Sequence, residues 1–401
     1  MKSTASKYHK AGKKAKGLLS LSLALLLIHL VSCGSKRSVH LLSRFGSYGA
    51  NAALKIAASW PRREAGSEAE KQTGDYIYNE FKKIGFVPET QTVPLGGGKS
   101  SRNIIVRIPG FGFTANPDVI EQYDYDVYKY RAKAEDGLFR RQVIVGARYD
   151  SDPLAEEGAD GISDNASGVG ALLQLARHLK REQMGFDVIL VAFGGGFSGS
   201  AGAKTYVGSM SERDIQITNC FYEFRSLYAG EKLYANAGWS STYPGQKYIL
   251  RQPAYEIADI ALGEPLYTIA GETLYQNQST YKISNPLLDE NEREGYAAPE
   301  IVFREISRFP SDYRAFDRFM IPCVFFESYD YSADNYADLK ENVDPNFASS
   351  EYRIRGTAFD NISVLKEYSD ANTLEHRINT AAFLVYRAIE EGVMGGTNHT
   401  P

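Results

Sequence analysis

Apolar residues recur along the chain at spacings that predict alternating helices and strands. A helical pattern covers residues 52–84, with Ser67 as its cap and Gly85 as its stop. Continuous apolar runs predict buried strands over residues 103–108, 143–147, 188–193, 217–224 and 321–326. Amphipathic spacing predicts helices over residues 169–179, near 202–207 and over 373–391.

This alternation predicts an α/β fold, with three layers and a mixed, mostly parallel central sheet covered by helices on both faces. Binding sites in such folds lie at the carboxyl ends of the strands. That rule places residues 148–164, residues 194–197 and Glu223 around one crevice.

Two stretches interrupt the pattern. Residues 112–138 are rich in Tyr and Asp and predict an insertion or a hairpin, and residues 230–300 are polar and predict loops and a cap. The predicted organisation is therefore a globular body over 51–392 with these two insertions, preceded by a polar tether over 34–50 and followed by a tail over 393–401.

The first 33 residues resemble the signal peptide of a bacterial lipoprotein. Six lysines precede a Leu-rich run over 17–31, which is shorter than the roughly 20 residues a stable membrane-spanning helix needs. The run ends in Leu30, Val31, Ser32 and Cys33, a pattern similar to the lipobox at which the cysteine is lipidated. An ordinary signal peptide or an uncleaved anchor is the alternative. We expect export and attachment to membrane lipid through Cys33, facing the periplasm or the cell surface.

Composition constrains the partners. The formal net charge is -4, and removal of the first 33 residues, which carry six lysines and no acidic residue, shifts it to about -10. We expect such an acidic body to have no basic patch for nucleic acid, which argues against a nucleic-acid partner. Cys220 and Cys323 lie in apolar runs, which predicts buried free thiols and no disulfide framework.

Three common motifs fail on their spacing. A phosphate-binding loop would need glycines at Ser198 and Ala203, and a nucleophile elbow would need a glycine two residues after Ser198. The acidic run over 150–164 fits no EF-hand, so a solvated loop is preferred to a calcium site.

Three segments of the chain, taken in their order along the sequence, resemble the motifs of a known protein family. They are VGARYDS at 145–151 with GISDNASG at 161–168, VAFGGGFSG at 191–199 running to AKTYV at 203–207, and SDYRAF at 311–316 followed by IPCVFF at 321–326. Together they resemble peptidase family M28, co-catalytic zinc aminopeptidases whose fold also includes glutaminyl cyclases and the protease-like domain of transferrin receptor. The resemblance covers about residues 50–390 and implies a zinc exopeptidase (phosphorylase/hydrolase-like) fold.

Three acidic positions of the family pattern are retained. The resemblance implies that Asp164 matches the carboxylate that bridges two zinc ions, and that Asp150 matches the Asp that orients a histidine ligand. Glu223 matches a further carboxylate ligand that is normally Asp. Asp164 and Glu223 are therefore the only candidate metal ligands, and two oxygen donors alone make a poor zinc site.

The other positions are degenerate. The first histidine ligand falls at Arg148, and a guanidinium carries no lone pair for a metal. The paired glutamates, general base and then ligand, fall at Gly196 and Phe197. The last histidine ligand falls at Gly356, and a histidine near the substrate site falls at Tyr313, which we expect in the crevice with Asp150.

Histidine content supports this interpretation, because residues 34–401 contain only His40, His178, His376 and His399, none of them at a strand end. We expect an ion pair from Arg148 to Asp164 or Glu223 at the metal position and no cofactor. The favoured function is a lipid-anchored, non-catalytic M28-like protein that binds a peptide or protein ligand in the former active-site crevice. The alternatives are an active zinc aminopeptidase or metallohydrolase with a rebuilt site, and a purely structural envelope protein.

Overall fold

The computed structural model describes residues 45–114, 133–238, 248–263, 273–275, 280–284, 300–304 and 311–391. Cys33, the predicted signal peptide and the predicted tail lie outside these ranges. Within the described ranges no helix is both long enough and apolar enough to cross a membrane.

One mixed sheet forms the centre of the molecule. Its strands are β1 (Glu89–Gly96), β2 (Lys99–Ile108), β3 (Gln142–Arg148), β4 (Asp187–Phe193), β5 (Thr218–Phe224), β6 (Lys232–Ala237), β7 (Leu274–Tyr275) and β10 (Cys323–Tyr329). They are ordered β1-β2-β4-β3-β5-β10-β6-β7, and β8 (Thr280–Ser284) and β9 (Glu300–Arg304) pair separately. The four central strands β4, β3, β5 and β10 run parallel, whereas β2 and β6 join them antiparallel.

Helices cover both faces of this sheet. They are α1 (Tyr48–Ser59), α2 (Glu68–Ile84), α3 (Ser167–Leu179), α4 (Ala201–Gly208), α5 (Glu212–Ile217), α6 (Gln252–Gly263), α7 (Tyr313–Asp317), α8 (Ile362–Tyr368) and α9 (Thr373–Glu391). The larger apolar cluster joins one sheet face to α1, α3 and α9, and the smaller one joins the other face to α4 and α7. The predicted three-layer α/β architecture is confirmed.

The predicted helical pattern over 52–84 forms two helices, not one. Pro61 follows α1, and the residue before a proline is disfavoured in the α conformation, so the first helix ends there. Ser67 then caps α2 by accepting a hydrogen bond from the backbone N–H of Glu70, and Gly85 ends α2 in the left-handed conformation. Both signals for α2 are confirmed.

The structure differs from the prediction in two segments. Within 230–300 the sequence predicted loops and a cap, but β6 is a strand of the main sheet and α6 packs on the same face as α9. The tether predicted to reach residue 50 ends earlier, because Phe45 is fully buried and α1 begins at Tyr48. Phe113 bridges Phe139 antiparallel at the base of the predicted 112–138 insertion, whose residues 115–132 lie outside the described ranges.

Cys220 and Cys323 are both buried thiols outside any disulfide, as predicted. They lie on neighbouring strands, Cys220 as the third residue of β5 and Cys323 as the first of β10, but belong to different apolar clusters, Cys220 to the larger and Cys323 to the smaller. Because the sheet separates the two side chains, they cannot form a disulfide without rearrangement of the core.

Candidate functional site

The carboxyl ends of the central strands bring the predicted site residues together. Arg148 is the last residue of β3, the Gly194–Gly196 loop follows β4, and Glu223 lies near the end of β5. The loop after β3 returns Asp164 to the same edge, where it contacts Arg148.

A buried ion pair joins Arg148 to Asp164. Both residues are almost fully buried, at 6 % and 7 % exposed. Ser226 donates its hydroxyl to Asp164 Oδ1 over 3.0 Å. Burial disfavours the charged carboxylate, but the positive charges of Arg148, Arg355 and Arg225 outweigh it and lower the pKa of Asp164 to about 2. The charge of the Asp164 carboxylate is thus balanced by the Arg148 guanidinium. Of the two partners that the sequence allowed for Arg148, Asp164 and Glu223, the structure has Asp164.

Asp150 fixes the Gly194–Gly196 loop, called the glycine loop below, through hydrogen bonds to its backbone. Its two carboxylate oxygens accept hydrogen bonds from the backbone N–H groups of Gly196 and Phe197, each over 2.8 Å. Burial raises the pKa of Asp150 to about 7, although the neighbouring charge of Arg148 acts in the opposite direction. The half-buried Phe197 ring lies 4.2 Å from the guanidinium carbon of Arg148, a cation–π contact.

The position predicted for the general base has no room for a side chain. A Cβ placed on Gly196 would lie 2.8 Å from Arg148 Cδ, 3.0 Å from Arg148 Cβ and 2.9 Å from Asp150 Oδ1. Real Cβ atoms do not approach neighbours this closely, so a side chain at 196 is incompatible with the present positions of Arg148 and Asp150. The two substitutions are therefore sterically linked.

Glu223 binds a different set of groups. One of its oxygens accepts hydrogen bonds from the Ser311 hydroxyl over 2.7 Å and from the backbone N–H of Tyr313 over 2.9 Å. Burial and then the negative charge of Asp312 raise the pKa of Glu223 to about 7. The Tyr313 ring stacks on Phe325 in the smaller apolar cluster, with centroids 4.5 Å apart. Tyr313, expected in the crevice, therefore contributes its backbone N–H to the site and its ring to the core.

Gly356 lines the same small cavity as Asp164 and supplies backbone only. Its φ of +71° is in the left-handed region, so any side chain at this position is strained. Gly356, Asp164 and Asp360 line one cavity of about 10 Å³, which is room for about one water molecule. Asp360 accepts hydrogen bonds from the backbone N–H groups of Ser163 and Asp164 over 2.8 and 3.1 Å, which fixes the turn that carries Asp164.

Sequence reasoning missed the cations and the acid that complete the site. Arg355 binds Glu341 over 2.8 Å and Glu327 over 3.4 Å, and Arg225 lies 3.9 Å from Glu327. Asp312 is fully buried, and this burial raises its pKa despite the nearby charge of Arg148. Each lay next to a residue already singled out: Arg225 two positions after Glu223, Arg355 directly before Gly356, and Asp312 inside the SDYRAF segment.

The site does not fit the zinc pair that its fold implies. The described residues contain no group of three or more His, Cys, Asp or Glu side chains that is placed to hold a metal ion. Where a zinc ligand is expected, a permanently charged guanidinium contacts the bridging carboxylate, and zinc next to it would be repelled. The side chains at this position, Arg148 and Asp164, form an ion pair instead of a set of metal ligands.

The family model named peptidase family M28 matches residues 127–350. The chain belongs to this family.

Two curated proteins show the relationship at the sequence level. The alkaline phosphatase isozyme conversion protein of Escherichia coli (strain K12) is 29% identical over 203 residues, which is 48% of this chain and 54% of that protein. Aminopeptidase YwaD of Bacillus subtilis (strain 168) is 35% identical over 74 residues, 18% of this chain and 15% of that protein. The matches therefore span about half of the first relative and a smaller part of the second.

Solved structures show the same fold. BSAP, a zinc aminopeptidase from Bacillus subtilis, aligns over 86% of this chain and 97% of its own, with a TM-score of 0.53 and 15% identity. Glutaminyl cyclase from Porphyromonas gingivalis aligns over 86% and 98%, with a TM-score of 0.54 and 17% identity. At these identities the likeness concerns the fold alone.

Proposed function

We propose that this protein is a non-catalytic M28 domain, exported and held at a membrane by lipid on Cys33, that binds a peptide or protein ligand. One observation carries the proposal of lost catalysis: Arg148 pairs with Asp164 and occupies the space beside Gly196. The same side chain thus neutralises the retained bridging carboxylate and fills the region into which a general base would project.

The ligand, on this proposal, binds at the rim of the former active-site crevice. The cavity beside Asp164 has a volume of about 10 Å³, far below the roughly 300 Å³ of small ligand pockets. The loop after β4 offers the half-buried Phe197 with the exposed Ser198 and Gly199, and the loop after β3 offers the 87% exposed Leu154. An aromatic ring, backbone groups and an apolar side chain suit contact with an extended peptide better than with a small charged metabolite.

The second candidate is an active zinc metallohydrolase with a rebuilt site. It is favoured by the three buried carboxylates that remain near the strand ends, Asp164, Glu223 and Asp312. This candidate requires a metal to displace the guanidinium of Arg148, which leaves that cation buried without its anion. We therefore prefer the first proposal.

Metal analysis with matched variants separates the two candidates. For the purified chain from residue 34 onward we expect no stoichiometric zinc by mass spectrometry, no rise in melting temperature with added Zn²⁺ and no release of N-terminal residues from peptides. Asp164→Asn is expected to destabilise the fold, because Arg148 loses its anion, whereas Glu212→Gln on exposed α5 is expected to be neutral. About two bound zinc ions per chain, with chelator-sensitive peptidase activity that Asp164→Asn abolishes, contradicts the proposal.

A further inference from the structure

A second cavity lies where α2 and α3 end, at the opposite end of α3 from Asp164. Its volume is about 310 Å³, and its lining is Tyr48, Glu80, Lys83, Ile84, Arg177, Lys180 and Arg181. We call it the basic pocket. Four of these side chains are cationic and one is anionic, on a body whose net charge is negative.

The single acid of the pocket is already neutralised. Glu80 is buried, and it accepts a hydrogen bond from the Tyr48 hydroxyl over 2.8 Å and binds Lys83 over 2.6 Å. Among the described residues Lys180 and Arg181 form no ion pair with a carboxylate, and both are exposed. The pocket therefore presents uncompensated positive charge to solvent.

Apolar groups flank these cations. The Lys180 ammonium lies 5.0 Å from the centroid of the Phe86 ring, and the next residue, Val87, is 89% exposed. Cations at helix C-termini are expected from the helix dipole alone. The dipole does not explain an exposed valine or a cavity between two helix ends.

The pocket adjoins the first described residues of the chain. Phe45 stacks on His178 with ring centroids 3.7 Å apart, and Tyr48 packs under the Arg177 guanidinium at 5.2 Å. Cys33 precedes Phe45 by 12 residues, a length that spans at most about 40 Å when extended. A lipid on Cys33 thus confines the basic pocket to within about 40 Å of the membrane surface. Salt screens the attraction between exposed cations and anionic headgroups beyond about 10 Å, so the tether favours the contact by keeping the pocket near the headgroups rather than by holding it in place.

We propose that the basic pocket docks on the anionic phospholipid headgroups of the membrane that holds the anchor. The lipid on Cys33 keeps the protein at the membrane, and the pocket orients it, with the acidic remainder of the body facing away. The proposal rests on the lipid anchor proposed above, but the pocket itself can be tested without the anchor.

The test uses the unlipidated chain from residue 34 to residue 401, which contains every described element. Binding to vesicles of phosphatidylcholine alone and of phosphatidylcholine with phosphatidylglycerol is measured by flotation. We expect binding to the anionic vesicles only. We also expect Lys180→Glu with Arg181→Glu to lower that affinity by at least about tenfold, since each basic residue near an anionic surface contributes about fivefold.

A matched control reverses two exposed lysines elsewhere, Lys204→Glu with Lys366→Glu, and changes the net charge by the same amount. Equal loss of binding in both double variants shows a net-charge effect and overturns the proposal, as does equal binding to neutral and anionic vesicles. Release of the protein by inorganic phosphate at constant ionic strength assigns the pocket to a free anion and also overturns it. The anchor is tested separately by the intact mass of the processed protein, so failure of the anchor and failure of the pocket are distinguishable.

Discussion

At the scale of single residues, the site depends on the contact of Arg148 with Gly196. Sequence motifs were sufficient to predict that Arg148, Asp150, Asp164 and Gly196 meet, because each stands at a fixed position relative to a strand end. They were insufficient to predict that the arginine side chain fills the space above the glycine, since that depends on a rotamer. Arg355 was missed for a different reason: it lies in an irregular segment, and such a segment has no periodic pattern from which to predict its position.

We expect Gly196→Ala to destabilise the fold by about 1–3 kcal/mol, because the added methyl group overlaps Arg148 and Asp150. The matched control is Gly208→Ala at the end of α4, where a Cβ meets nothing within 4 Å. Urea unfolding measures both. In the double variant Arg148→Ala with Gly196→Ala the two costs should sum to less than their separate values, because the contact with Arg148 Cδ is gone while those with the Cβ of residue 148 and with Asp150 remain. Equal stability of the two alanine variants contradicts the steric link.

At the scale of elements, helix α2 connects to the glycine loop through Glu70. This buried side chain accepts hydrogen bonds from the Ser101 hydroxyl on β2 over 2.6 Å and from the backbone N–H of Gly195 over 2.9 Å. Helix caps and apolar strand runs were readable from the sequence because they are local. Strand β6 was missed because Tyr234 and Asn236 make it look polar, although pairing with β10 buries both.

Glu70→Gln tests this connection. One oxygen of Glu70 accepts from both Ser101 and Gly195, and the other accepts from the backbone N–H of Gly66 over 2.6 Å. Glutamine offers one acceptor oxygen in place of two, so either the Ser101 and Gly195 donors or the Gly66 donor faces an NH2 group, and we expect a loss of about 1–3 kcal/mol in the free energy of unfolding. Glu68→Gln removes the same charge from the same helical turn at an exposed position and should change stability by less than about 0.5 kcal/mol. If both variants lose the same amount, the effect arises from the helix dipole and not from the connection.

At the scale of the whole molecule, a network of buried charges replaces what the family resemblance implies is a metal centre. Arg63 and Arg225 are at most 1 % exposed, and Arg63 donates hydrogen bonds to the carbonyls of Tyr149, Asp160 and Gly161. Composition predicted an acidic body but not where its charges lie. Long-range pairing among segments separated by hundreds of residues leaves no trace in local sequence.

The network predicts a stability maximum at mildly acidic pH. The pKa of Asp164 is lowered to about 2, so its contribution is present above the unfolded value near 4 and is lost as the pH falls toward 2. Burial, followed by the charge of Asp164, raises the pKa of Asp360 to about 8, so its contribution is present below about 4 and is lost as the pH rises toward 8. We expect the free energy of unfolding to be highest near pH 4 and to decline between about pH 4 and pH 8.

Denaturant unfolding across this pH range measures the profile. Asp360→Asn cannot ionise, so we expect its decline between pH 6 and 8 to be shallower than that of the parent protein, even though its overall stability is lower. Asp334→Asn, at an exposed position, should follow the parent profile. Parallel profiles for the parent and Asp360→Asn show that this carboxyl group does not titrate as stated.

The contact between Arg148 and Gly196 also restricts the order in which these two positions can change. A histidine at 148 alone leaves the carboxylate of Asp164 without its cation, and a glutamate at 196 alone collides with the arginine. Each of these single changes is therefore expected to give a lower free energy of unfolding than the present pair of Arg148 and Gly196. A histidine at 148 and a glutamate at 196 are therefore expected to be tolerated better when introduced together than when either is introduced alone.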